Sequence, residues 1–129
     1  MSRLVSDTAM VMAAGLGKRM RPLTSTRPKP MVKVAGKPLI DHALDSLAAA
    51  GIARAVINVH YLPDSLEAHV LARDVPKCAI SDERDRLLET GGGMVKAQPL
   101  LPDPFFCLNS DNIWLEGPVD CFHQLSRLW

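Results

Sequence analysis

The sequence predicts an α/β layered fold with a mainly parallel sheet, and three observations carry that expectation. Short apolar runs alternate with longer stretches of helical spacing, glycine or proline punctuates most junctions, and the clearest strand-like run is apolar almost throughout. Continuous apolar runs suit strands buried on both faces. Parallel neighbours cannot be joined by a tight turn; they need a crossover, and a helix is the usual one.

In chain order, Ala9 to Ala14 is a short apolar run closed by Gly15, which fits a buried strand stopping at a turn. A basic, proline-rich loop follows. Pro38 suits the first position of a helix in which Ile40, Ala43, Leu44 and Leu47 recur at helical spacing, and Gly51 supplies its stop. "AVINV", Ala55 to Val59, reads as a strand. A second helix is expected from Asp64, with Glu67 reaching back as in a capping box and Pro76 barring continuation. "CAIS", Cys78 to Ser81, is a weaker strand; Gly91 to Gln98 reads as a short helix capped by Thr90. "FFCLN", Phe105 to Asn109, is a further strand that runs into Ser110 and Asp111, and a last helix is expected from near Val119. Internal repeats, low-complexity segments and linkers are not apparent. In sheets of this kind ligands sit beyond the carboxyl ends of the strands. The basic loop and Asp111 are therefore expected on one edge.

Composition narrows the function classes. The 129 residues are 47% hydrophobic, the size of one domain with one core. Fifteen basic and fourteen acidic residues leave a net charge of +1, which argues against a protein that coats nucleic acid or a membrane. Cys78, Cys107 and Cys121 are odd in number and lack CxxC spacing, so they read as reduced thiols, mostly in the core. The N-terminus is too polar for a signal peptide, and no apolar run approaches the roughly 18 residues of a membrane helix. A soluble cytoplasmic protein is the expectation.

Against that near-neutral background, "MAAGLGKRMRPLTSTRPKPM", Met12 to Met31, carries five basic residues, three prolines and no acid. Gly15 and Gly17 allow the close backbone turn that aims N–H groups at an anion. Lys18, Arg19, Arg21, Arg27 and Lys29 add charge, and a guanidinium such as that of Arg19 can grip a phosphate through two bonds. Pro22, Pro28 and Pro30 stiffen the loop and lower the entropy lost on binding. Neither the dinucleotide-binding fingerprint nor the P-loop is matched, since no third glycine or GK[ST] follows. The spacing by itself leaves both a phosphate cradle and a solvated basic loop open.

The longer string "MAAGLGKRMRPLTSTRPKPMVKVAGKPLI" resembles, nearly position for position, the signature of the sugar-1-phosphate nucleotidyltransferases, in which an AAGxGxRMxPLT loop precedes PKPM or PKPL. "LLETGGGMVKAQPLL" and "FFCLNSDNIW" resemble segments of a bacterial branch that acts on N-acetylmuramate 1-phosphate with UTP in cell-wall recycling. The resemblance spans about residues 9 to 118. It implies a Rossmann-like layered fold, incomplete in this chain, with residues 1–129 as the N-terminal nucleotide-binding part of a nucleotidyltransferase domain.

By position, the resemblance implies that Gly17, Lys18 and Arg19 bind a nucleoside triphosphate, with Ala14 and Gly15 beside it and Lys29 at the phosphates of the reaction centre. Arg19 and Lys29 are the implied catalytic residues. Glu83, Gly91 and Gly92 fall in the region that meets base and ribose, Asn109 is close enough to meet the sugar phosphate, and Asp111 matches the aspartate that ligates Mg²⁺. Ser110 stands where glycine is usual before that aspartate. The implied partners are a nucleoside triphosphate and a sugar 1-phosphate, without nucleic acid or membrane; the oligomeric state is not readable. UTP with N-acetylmuramate 1-phosphate is the first expectation, GTP with mannose 1-phosphate the second, and dTTP or UTP with glucose 1-phosphate the third.

Other residues have plainer readings. His42, His69 and His123 read as surface or packing residues, and only His60, directly after a strand, could face a ligand. Met10, Met12 and Met20 read as core or pocket wall. Asp82 to Arg86 form a mixed-charge run whose default is a solvated turn. A nucleotide-binding module without turnover also stays open, because the family supplies a second metal-binding aspartate later in its sequence and nothing around Asp120 resembles that motif.

Overall fold

The computed structural model describes residues 4–15, 26–85, 90–110 and 121–128. Four strands form one parallel sheet: β1 (Thr8–Met12), β4 (Arg54–Val59), β5 (Lys77–Asp82) and β6 (Phe106–Asn109). Their order is β5-β4-β1-β6. Two short strands, β2 (Lys33–Val34) and β3 (Lys37–Pro38), pair antiparallel outside it.

Side chains alternate across the central strand, and each face has its own helices. Ala9 and Val11 of β1, with Ala55 and Ile57 of β4, pack in one cluster with Leu44 and Leu47 of helix α1 (Leu39–Ala50). Leu66 and Val70 of α2 (Pro63–Leu71) and Phe122 of α4 (Cys121–Leu128) join the same cluster. Phe122 meets Phe106 edge-on, with centroids 5.2 Å apart. Met10 and Val56 point the other way, against Ala97 and Met94 of α3 (Thr90–Ala97). The result is a three-layer arrangement in which strands buried on both faces have no use for polar alternation.

The crossovers explain where the sheet opens. From β1 the chain passes through α1 to β4 and through α2 to β5, always to the same side; it then returns through α3, on the other face, to β6 beside β1. The direction in which strands are added therefore reverses between β1 and β6. Such a reversal of strand order leaves a crevice at the carboxyl edge, where ligands of open α/β sheets bind.

Local expectations were corrected at several points. β1 ends at Met12, so Ala13 and Ala14 belong to the exit loop. Pro38 is not the first helical residue: with ψ 146° it is the extended N-cap of α1 and also closes β3. The capping box at Asp64 does not form, because Asp64 and Glu67 both accept from the Arg84 guanidinium, at 3.0 and 2.5 Å. A fixed cation outcompetes the weak return bond to the backbone. α2 instead starts at Pro63, after Leu62 in the left-handed region. α3 begins at Thr90, one residue before the expected start, and ends at Ala97, with a 3-10 turn over Gln98–Leu100. The cysteines are not mostly core: Cys78 is buried, but Cys107 is exposed and Cys121 half-buried.

Candidate active site at the carboxyl edge of the sheet

Each parallel strand delivers its last residues to the same edge. The register pairs Met12 of β1 with Asn109 of β6, and the Ser110 N–H donates to the Met12 carbonyl at 3.2 Å. Ala13, Ala14 and Gly15 continue from β1 at this point; the first two are buried and Gly15 is exposed. Among the described residues, a Cβ added at Gly15 would meet nothing within 4 Å. Asn109 is exposed, whereas Ser110 is buried. Gly17, Lys18 and Arg19, expected at the triphosphate, and Asp111, expected at the metal, lie outside the described residues, as do Arg21, Met20 and Asp120.

Lys29 opens a 3-10 turn, Lys29–Met31, whose backbone closes through Met31 N–H to Pro28 O at 2.9 Å and Val32 N–H to Lys29 O at 3.0 Å. The Leu39 N–H then donates to Val32 O, fastening the turn to the first residue of α1. Buried Pro28 and Pro30 flank Lys29, which is half-buried, while Arg27 is exposed. Two fixed prolyl φ angles hold the lysine's backbone before any ligand arrives.

On the other side of β1 the edge is built from buried polar groups. Asn58 of β4 is 2% exposed, and its Oδ1 accepts from the Ala13 N–H at 2.6 Å. Its Nδ2 donates to Glu83 Oε2 at 2.9 Å, and Glu83 is fully buried. A Cβ at Gly93 of α3 would come within 3.2 Å of both that amide and that carboxylate. The Glu83 backbone is fixed as well: its N–H donates to Val59 O at 2.8 Å, and its carbonyl accepts from His60 Nδ1 at 2.6 Å. A carbonyl can only accept, so Nδ1 is the protonated nitrogen in that contact. Among the described residues every buried side-chain nitrogen and oxygen has a partner.

Glu83 thus lies under the edge rather than on it, and the solvated turn expected for this run holds at Asp85, whereas Asp82 is exposed but ends β5, Glu83 is buried, and Arg86 lies outside the described residues. Asp82 accepts from the Arg84 backbone N–H and from its guanidinium, both at 2.8 Å. The backbone bond first, then the guanidinium, holds the Asp82 carboxyl below the ordinary carboxylate range. Lys96 of α3 donates to the Asp82 carbonyl. Gly91 and Gly92 lie in the first turn of α3, with Gly92 exposed.

His69 pairs with Asp41 at 2.7 Å and His42 contacts Val34 O at 2.7 Å, in keeping with packing roles. Met10 and Met12 belong to the cluster under α3. Among the described residues no group of three or more His, Cys, Asp or Glu side chains could hold a metal ion, and no helix is long and apolar enough to cross a membrane.

Sequence reasoning missed Asn58 and Gly93. The signal at Asn58 was present: one amide inside an otherwise apolar buried strand must find partners for both its donor and its acceptor. Gly93 carried no comparable sign, since in sequence it is simply the third of three consecutive glycines.

Comparison with known proteins agrees with this geometry. Over 94% of its length the chain is 58% identical to an N-acetylmuramate alpha-1-phosphate uridylyltransferase of Caulobacter vibrioides, of which it covers 52%. It is 38% identical over 90% of its length to a mannose-1-phosphate guanylyltransferase catalytic subunit beta of Danio rerio, covering 34% of that protein. It therefore spans about half the length of the first relative and about a third of the second. A solved UDP-glucose pyrophosphorylase complexed with UDP-glucose shares its fold with a TM-score of 0.82 at 21% identity, over 96% of this chain and 53% of that one. Residues 8–123 match the family model of the nucleotidyl transferases, and with the parallel sheet and its open carboxyl edge already in place, the chain belongs to that family.

Proposed function

We propose that the chain carries the nucleoside-triphosphate part of a site that transfers a nucleoside monophosphate to a sugar 1-phosphate and releases pyrophosphate, with UTP and N-acetylmuramate 1-phosphate as substrates. The observation that carries the reading is the pairing of Met12 with Asn109 at the point where strand order reverses. In sequence, the basic loop follows the first of these strands and Asp111 follows the second. The 58% identity to the Caulobacter vibrioides uridylyltransferase favours the substrate pair.

In such a transfer an oxygen of the sugar phosphate attacks the α-phosphorus in line as pyrophosphate departs, and no covalent enzyme intermediate is required. Catalysis is then positioning plus neutralisation of charge. Backbone N–H groups about Ala14, Gly15 and Gly17, with Lys18, would cradle the triphosphate. Arg19 would steady the departing pyrophosphate. Lys29, on its proline-braced turn, would orient the attacking phosphate and the α-phosphate. Gly91 and Gly92 would lie along base and ribose, Glu83 would support them from beneath, and Asn109 would meet the sugar phosphate. One carboxylate combined with phosphate oxygens is a hard donor set suited to Mg²⁺, so Asp111 would hold that ion, which when bound neutralises phosphate charge.

Arg19→Ala and Lys29→Ala should each weaken UTP binding, while Arg21→Ala and Arg27→Ala should do so less; titration calorimetry with UTP and Mg²⁺ measures this. Negligible effects from all four would return the loop to a solvated basic segment. A screen for pyrophosphate release across nucleotides and sugar phosphates tests the reaction, with UTP and N-acetylmuramate 1-phosphate expected to give the highest rate. The similarity to the Danio rerio protein makes GTP with mannose 1-phosphate the second pair to test. Because the chain spans about half of its uridylyltransferase relative, a nucleotide-binding module without turnover is the second reading, favoured if UTP binds and no pair releases pyrophosphate.

A further inference from the structure

We infer that Asn58 is a positioning residue for the nucleotide: its side-chain amide sets the spacing between the start of the basic loop at Ala13 and the glycine turn of α3, acting through Glu83. The role rests on the nucleotide reading above. Three segments far apart in sequence meet at this one amide. Oδ1 takes the Ala13 N–H at 2.6 Å, Nδ2 gives to Glu83 Oε2 at 2.9 Å, and Gly93 lets α3 approach both, since a Cβ there would sit a tight 3.2 Å from each. The orientation of the amide is unambiguous. Flipped, it would set N–H against N–H and oxygen against carboxylate, two repulsions in place of two bonds.

Burial makes the arrangement unforgiving. Asn58 is 2% exposed and Glu83 not at all, so water cannot replace a lost partner. Bonds to a buried carboxylate are also the stronger, more directional kind. Moving the amide would therefore move the backbone at Ala13, immediately before Ala14 and Gly15, together with the first turn of α3. Both flanks of the proposed nucleotide pocket would lose their spacing.

The network has a polarity that can be exchanged. Asn58→Asp removes the Nδ2 donor and sets two acidic side chains against each other in a buried site, where they cannot both stay ionised. Adding Glu83→Gln restores complementarity: an aspartate at 58 accepts from Ala13 N–H and from the new amide, so both bonds return with the charge on the other partner. The experiment measures UTP affinity in the presence of Mg²⁺ by calorimetry, with the fold of each variant checked by circular dichroism. Asn58→Asp should weaken binding about tenfold or more, and the double substitution should recover it to within about threefold. Ile52→Ala, a core truncation just before the opposite end of β4, should leave affinity unchanged where it remains folded. Should Asn58→Asp alone not fold, recovery of fold and UTP binding in the double variant supports the role, and its failure to recover them overturns it. Wild-type affinity in Asn58→Asp would overturn the positioning role alone. If the unsubstituted chain binds neither UTP nor GTP, the nucleotide reading fails and this role falls with it.

Discussion

At the scale of single residues, the two glycines at the edge serve different purposes, and substitution separates them. No described residue comes within 4 Å of a Cβ at Gly15, so Gly15→Ala should leave the urea midpoint unchanged while weakening UTP binding, because the added methyl would occupy room proposed for the nucleotide. Gly93→Ala forces a methyl toward the Asn58–Glu83 pair and should lower stability by about 1–3 kcal/mol despite the better helix propensity of alanine. Equal urea midpoints for the two variants would contradict the packing seen at Gly93. Cys78 offers a test by pH. Burial, against an opposing pull from Arg73, pushes its thiol from 9.0 up to about 11. The unfolded chain thus ionises at a pH where the folded chain does not. Stability from the neutral buried thiol is complete below pH 9 and is lost as pH rises toward 11, so the urea midpoint should fall across that window less in Cys78→Ala than in the wild type. At this scale the sequence was legible where chemistry was local, as at Pro28 and Pro30 around Lys29. It was not legible at Glu83, whose burial depends on α3 and β4 closing over it.

Among the elements, agreement between sequence and structure follows how much of each boundary is decided within the element. α1 stops at Gly51, as expected, because the chain there needs a left-handed residue: φ is 89°, and the Ile52 N–H reaches back to Leu47 O at 3.0 Å. Leu4 Cδ1 lies 3.9 Å from a Cβ at that position, an ordinary contact, so the cost of Gly51→Ala is in the backbone. A loss of about 1 kcal/mol in urea unfolding is expected. An unchanged midpoint would mean that the cap relaxes to another conformation. The start of α2 was misread because its decisive partner, Arg84, lies beyond the next strand. The β2–β3 hairpin was missed because Ala35, with φ 52°, stands where asparagine or glycine normally announces such a turn. Only Gly36, with φ 82°, obeys the usual preference.

For the whole molecule, alternation of element types was enough to predict a parallel sheet and to put the carboxyl ends of β1 and β6 on one edge. Strand order was not: no local signal says that β6 docks beside β1 rather than beside β5. That placement comes from α3 packing on the face opposite α1 and α2, a choice made by Met10, Val56, Ala97 and their neighbours only once the sheet exists. The same topology has a kinetic side. β1 pairs with β6, and Met12 meets Asn109, across most of the chain. Closing so distant a pair carries a larger entropic cost than forming the α1 or α2 crossovers. The ladder that joins the two flanks of the crevice should consequently be the last part of the sheet to assemble. During synthesis, the Ala13–Gly15 backbone leaves the ribosome early but has to wait for its neighbour, so the nucleotide recognition proposed above would arrive with completion of the sheet and not with the appearance of the glycine-rich segment.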